Sequence, residues 1–88
     1  MTATHLTIHG HVQGVFYRDW TVANARSFSL AGWVRNKPDG TVEAHLEGDA
    51  EAVAHMIAAM HDGPPHARVE WIERREVEPQ RLDGFNRR

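Results

Sequence analysis

The stretch Val12-Gln13-Gly14-Val15-Phe16-Tyr17-Arg18 decides how this chain is read. Before it, Leu6, Ile8, Gly10 and Val12 alternate with His5, Thr7, His9 and His11, the period of a half-buried strand. After it, Trp20, Ala23 or Asn24, and Phe28 recur at helical spacing, which predicts a helix from about Asp19 to Leu30. Asp19 falls in its first turn, where negative charge is favourable. A strand that runs through a glycine-containing loop into a helix is a common way to hold phosphate, because N–H groups of the loop and first turn converge on an anion. Glycine supplies the φ values such a loop needs. Arg18 adds a planar, permanently charged fork matched to phosphate oxygens. Gly10 and Gly14 alone are equally explained by ordinary turns, so the loop has to be weighed with the rest of the chain.

Gly32 marks the end of that helix or the opening of a second strand, which begins at Trp33 and Val34. Pro38-Asp39-Gly40 turns the chain back as a hairpin. From Thr41 to Glu47 the alternation is regular, with Val42, Ala44 and Leu46 inward and Glu43, His45 and Glu47 outward. Asp49 suits an N-cap. A second helix from about Ala50 to His61 carries Val53, Ile57 and Met60 on one stripe with Met56 beside it, and Gly63-Pro64-Pro65 stops it. Ala67 to Val77 reads as a fourth strand. Its apolar residues Val69 and Ile72 lie three apart, which predicts a bulge. Pro79 breaks this strand, and Phe85 anchors a short terminal segment. The order β-α-β-β-α-β, with a short C-terminal strand, is that of the α+β ferredoxin-like split β-α-β sandwich, an antiparallel sheet with two helices on one face. That fold serves many unrelated functions, so function has to be read from the site.

With 88 residues the chain reads as a single domain, residues 1–88. A formal charge of −2, from 10 basic and 12 acidic residues, gives no general pull toward nucleic acid or anionic membrane, so any anion site must be local. The absence of cysteine excludes a disulfide framework, a zinc ribbon and a thiol nucleophile. The opening Met-Thr-Ala-Thr-His lacks the basic and apolar regions of a signal peptide, and no apolar run is long enough to span a bilayer. The expectation is a soluble cytoplasmic monomer.

At this point the residues become specific. The run from Gly10 to Arg18, Gly-His-Val-Gln-Gly-Val-Phe-Tyr-Arg, resembles the acylphosphatase signature G-x-V-Q-G-V-x-[FY]-R. A second run, Gly32-Trp33-Val34-Arg35-Asn36 followed by Gly40, Val42 and Gly48, is similar to the other signature of the same family. The resemblance implies hydrolysis of a small-molecule acyl phosphate to carboxylate and inorganic phosphate, with no metal and no cofactor. It also implies that Arg18 binds the phosphate, that Asn36 places the attacking water, and that the backbone of Gln13, Gly14, Val15, Phe16 and Tyr17 cradles the phosphate oxygens. One departure lies at the C-terminus. Members of the family usually finish with an alternating apolar strand, whereas here Phe85 is followed by Asn86, Arg87 and Arg88, and the pairing of the last strand is left open.

Phosphoryl transfer itself asks a protein mostly for positioning and charge stabilisation. An amide side chain is a poor base but can hold a water in line with phosphorus. Competing readings exist for several residues. Asn36 precedes good turn chemistry in Asn-x-Pro-Asp-Gly. Phe16, Tyr17, Trp20, Trp33 and Trp71 suggest an RNA-binding sheet, but the basic-aromatic consensus of such sheets is absent, and core packing and loop support explain them better. His5, His9 and His11, with His45 on the same exposed face, form a candidate site only for adventitious zinc or nickel; His55, His61 and His66 read as surface residues. A non-catalytic module that recognises phosphate-bearing ligands would need Arg18 but not Asn36, and the presence of both favours the hydrolase.

Overall fold

Leu6 and Ile8 of the first strand, Val34 of the second and Val42, Ala44 and Leu46 of the third are all buried, and they line one face of a five-stranded sheet. A computed structural model describes every residue from Met1 to Arg88. The elements are β1 (Thr2–His11), α1 (Tyr17–Ser27), β2 (Ala31–Asn36), β3 (Val42–Gly48), α2 (Ala50–Asp62), β4 (Arg68–Val77) and β5 (Phe85–Arg87). The strands lie in the order β4-β1-β3-β2-β5. Tyr17 and Ala25 from α1, and Val53, Met56, Ile57 and Met60 from α2, close the core against the sheet. This is the ferredoxin-like sandwich expected from the element order.

β1 runs antiparallel to β3 and β4, and β2 antiparallel to β3. β5 is the exception: it pairs parallel to β2, with Gly32 opposite Phe85, so the sheet is mixed rather than wholly antiparallel. The expected bulge falls in β4, where His9 faces Trp71 but Gly10 faces Val69, leaving Glu70 as the extra residue. Gly10 has φ +132°, and a Cβ there would lie 2.1 Å from the Arg68 carbonyl oxygen, so only glycine lets the strands pass this closely.

α1 starts at Tyr17 and ends at Ser27, earlier at both ends than the apolar spacing suggests. Its buried stripe is Tyr17, Thr21 and Ala25, flanked by the partly buried Trp20 and Phe28. The start is set by Tyr17, whose ring enters the core and whose hydroxyl donates to the Met60 carbonyl at 2.7 Å. The end is a Schellman arrangement: Ser29 N–H donates to Arg26 O at 3.0 Å and Leu30 N–H to Ala25 O at 2.9 Å. Ser29, at φ +58°, occupies the left-handed position usually given to glycine, and Gly32 lies inside β2 instead. Asp49 is the N-cap of α2, though its side chain makes no capping bond.

Glu43, His45 and Glu47 do project to the face away from the helices, but two of them are not exposed. His45 and Glu47 are each only 1% accessible. The connection between β4 and β5 crosses this face, and the N–H groups of Gln80 and Leu82 donate to the two Glu47 oxygens, each at 2.8 Å. His45 Nε2 lies 2.7 Å from Glu47 Oε1. His5 and His45 lie opposite each other across β1 and β3, but each histidine turns to a different partner: His45 is buried against Glu47, His5 pairs with Glu43, and His9 stacks on Trp71 with ring centroids 4.0 Å apart. Of the aromatics, Tyr17 and Trp33 are buried, whereas Phe16 and Trp71 are exposed and belong to no core.

Burial pushes the Glu47 carboxyl up, but hydrogen bonds from His45 and from the Gln80 and Leu82 amides outweigh it and hold the group below its ordinary value. A carboxyl lowered by folding contributes stability that is complete above its ordinary value of 4.5 and is lost as pH falls through the lower folded value. Glu47→Ala leaves His45 and two amides without their acceptor and is expected to cost on the order of 3 kcal/mol in urea unfolding. It should also flatten the acid limb of the stability–pH curve. Acid unfolding identical to that of the parent chain would remove Glu47 from this role.

Candidate active site

Val12, Val15 and Tyr17 are all buried, so the segment joining β1 to α1 is anchored at both ends and in its middle. With Val15 turned inward, its neighbours must turn out and the backbone has to change hand around it. Gly14 has φ +75°, and Phe16, the N-cap of α1, has φ +67° and ψ +20°, both left-handed. The result is a row of main-chain donors. The first amide of the stretch to meet a carbonyl is that of Trp20, bonded to Phe16 O at 3.0 Å; those from Gly14 to Asp19 donate to no protein group. Residues of alternating hand ahead of a helix make an anion-binding concavity, and the positive end of α1 adds to it.

Arg18 stands in the first turn, half-buried, and its Nη1 donates to the Arg88 main-chain oxygen at 3.1 Å. Asn36 ends β2 on the same side of the sheet as buried Val34, and its Oδ1 is shielded from solvent with no hydrogen-bond partner. An unpaired amide oxygen in a shielded position is uncommon in native proteins and calls for an explanation. Val12, Gly14, Phe16, Tyr17, Arg18 and Asn36 line one pocket, together with Asp19 and Arg87.

Gln13 and Val15 do not line it. Val15 belongs to the core. Gln13 Nε2 donates to the carbonyls of Lys37 and Thr41, both at 2.8 Å, and so ties the loop to the hairpin that begins directly after Asn36. The hairpin is itself stiff: Lys37 N–H donates to Thr41 O at 2.9 Å, and Asp39 Oδ1 accepts from the Thr41 hydroxyl and amide. Those two bonds hold the Asp39 carboxyl below its usual range. Tyr17 borders the pocket, but its hydroxyl is bonded to Met60 and burial pushes its pKa up, which removes it from proton transfer. Asp19 and Arg87 carry no site assignment from sequence reasoning. They join the pocket as an ion pair, Arg87 Nη1 to Asp19 Oδ1 at 2.7 Å. The only signal for Arg87 in the sequence is a charge where an apolar residue is usual in the last strand.

The fold and this pocket define a family. Residues 4–86 match the model of the acylphosphatase family, and the chain belongs to it. It is an enzyme of that class, a hydrolase of acyl phosphates. An acylphosphatase of Acidiphilium cryptum is 50% identical over 88 residues, covering 100% of this chain and 97% of that protein. One from Thermococcus kodakarensis is 52% identical over 82 residues, covering 92% of this chain and 89% of the other. The crystal structure of acylphosphatase from Bacillus subtilis superposes with a TM-score of 0.95 at 32% identity, covering 98% of this chain and 97% of that one. Thermococcus kodakarensis HypF matches at a TM-score of 0.88 and 32% identity, covering 100% of this chain and 12% of that larger protein.

Gln13→Ala removes both bonds between loop and hairpin. At about 1 kcal/mol per bond it should lower unfolding stability by about 2 kcal/mol, and it should weaken substrate binding as the Arg18 and Asn36 halves of the pocket lose their common frame. Steady-state kinetics beside a urea titration would check this; a KM equal to that of the parent chain would reduce Gln13 to a stability residue.

Proposed function

We propose that the pocket hydrolyses acyl phosphates without a metal ion, with the phosphate held by Arg18 and the amides of the loop from Gln13 to Tyr17, and the water held by Asn36. The observation that carries this reading is that Gly14, Phe16 and Tyr17, whose amides meet no protein acceptor, border the same pocket as Arg18 and Asn36. Its donor set suits an anion. Two arginines line it, and its one carboxylate, Asp19, is already paired with Arg87, whereas a magnesium site is built on free carboxylate oxygens.

In this reading the phosphate dianion enters against the loop N–H groups, with Arg18 contributing charge and a two-pronged donor. Asn36 accepts a hydrogen bond from the water and fixes it opposite the carboxylate leaving group. Water oxygen forms a bond to phosphorus, the phosphorus bond to the acyl oxygen breaks, and the electron pair leaves with the carboxylate. One water proton passes to a phosphate oxygen, giving dihydrogen phosphate. The leaving carboxylate is stable unprotonated at neutral pH, so no general acid is required, and the protein contributes orientation and charge.

The assignment of Asn36 separates an enzyme site from a phosphate-binding module. With a model aryl acyl phosphate in EDTA-treated buffer, Asn36→Ala should lower kcat by about a hundredfold or more, the scale seen when a positioned polar group is deleted, and leave KM within severalfold. Arg18→Gln should damage both constants, because its charge meets the phosphate before and during reaction. It should also abolish the rise in Tm that inorganic phosphate gives the parent chain by mass action. A folded Asn36→Ala variant with near-normal turnover would leave Asn36 as a hairpin residue, and activity that vanished with EDTA and returned with magnesium would overturn the metal-free reading.

A further inference from the structure

Asp19 is an acid in the wall of an anion pocket, one residue after Arg18. A carboxylate at that place repels an incoming phosphate and competes for the same guanidinium and amides. Arg87 answers it. Its Nη1 lies 2.7 Å from Asp19 Oδ1, while the two side chains remain 46% and 59% exposed. An exposed pair contributes little to folding stability, so the effect of this one falls on the field of the pocket.

The placement of Arg87 is built. Arg88 N–H donates to Val34 O at 2.8 Å and Gly32 N–H to Gly84 O at 3.0 Å, which sets β5 beside β2 with Arg87 opposite Val34. Arg26 holds the Phe85 carbonyl through Nε and Nη2. Successive strand residues face opposite ways, so Arg87 goes to the pocket while the Arg88 guanidinium lies over Trp33 on the other face, 4.5 Å from the ring centroid. Alternation from buried Phe85 would put an apolar side chain at position 87; this chain puts a charge there instead.

We propose that Arg87 is a positioning and specificity-determining residue of the phosphate site: by pairing with Asp19 it cancels that carboxylate and holds it aside, so that Arg18 and the loop amides meet the phosphate dianion with their charge undiminished. The proposal rests on the phosphate-binding reading of the loop. Arg87 acts through Asp19, and the property it governs is affinity for the doubly charged phosphate group.

The test is calorimetric binding of inorganic phosphate, with steady-state kinetics alongside, for the parent chain and for Arg87→Gln, Asp19→Asn, the double variant and Arg18→Gln. At low ionic strength Arg87→Gln should weaken phosphate binding and raise KM by about fivefold or more, the scale of one uncompensated charge near a partly exposed site. The loss should fall on KM more than on kcat and should shrink in about 1 M salt. Adding Asp19→Asn to Arg87→Gln should restore phosphate affinity to within about twofold of the parent, since the charge to be cancelled is then gone. Arg87→Lys, which keeps the charge, should retain most of the affinity, and it serves as the informative variant should Arg87→Gln fold poorly. Unchanged phosphate binding in Arg87→Gln would overturn the proposal. So would a double variant no better than Arg87→Gln alone, because Arg87 would then touch the phosphate itself. Undiminished binding in Arg18→Gln would instead fault the location of the phosphate site.

Discussion

Between Val12 and Tyr17 the backbone has to leave a central strand, change hand and begin a helix, with Val12, Val15 and Tyr17 all kept in the core. This constraint shapes the functional end of the molecule. Gly14 meets the requirement freely; Phe16 does not, and a side chain held in the left-handed region costs about 1 kcal/mol. Burial of Val15 alone, at about 1.5–3 kcal/mol, offsets it. The strained position is thus held by its neighbours, and what the strain produces is a set of N–H groups turned away from the protein. A relaxed turn in which those groups found carbonyls would be more stable and would offer an anion nothing.

The same device appears twice, with opposite polarity, to hold the surroundings of this loop in place. Gln13 donates from one amide nitrogen to two carbonyls of the hairpin after β2. Glu47 accepts with its two oxygens from two amides of the connection between β4 and β5. In each case one side chain satisfies main-chain groups of a distant segment, which is an efficient way to order backbone that has no ladder of its own. The first ties the loop between β1 and α1 to the hairpin that follows Asn36. The second fixes the approach of β5, which delivers Arg87 to the pocket and offers the Arg88 main-chain oxygen to Arg18.

What could be read in the sequence was whatever depends on local period and local chemistry. Alternation through Leu6 and Ile8, the hairpin at Pro38-Asp39-Gly40, the stop at Gly63-Pro64-Pro65 and the irregular spacing of Val69 and Ile72 all mark real features. Arg18 and Asn36 drew notice through the two signature runs rather than through period, and both line the same pocket. Contacts between distant segments left little trace. Glu47 alternates like a solvent-facing residue, and only the later passage of residues 78–84 over it makes it buried. The parallel pairing of β5 has the same origin, since nothing in three residues states which neighbour they will choose. Tyr17 shows the limit within a helix: Trp20 and Phe28 are larger apolar signals than Thr21 and Ala25, yet the tyrosine hydroxyl's bond to Met60 sets the angular face that goes inside.

The position of β1 also determines when the site can exist. It lies between β3 and β4, and its pairing with β4 joins residues 3–11 to residues 68–77. Pairings across so much chain close slowly, because the entropy of bringing distant segments together is lost before their contacts form. The loop that precedes α1 emerges directly from β1, and Arg18 is oriented by the main-chain oxygen of Arg88. During synthesis the residues of the loop are therefore made before the segments that frame them. A ribosome-bound chain carrying every residue of the two signatures still lacks β4 and β5, and acquires a framed pocket only when these are released to complete the sheet.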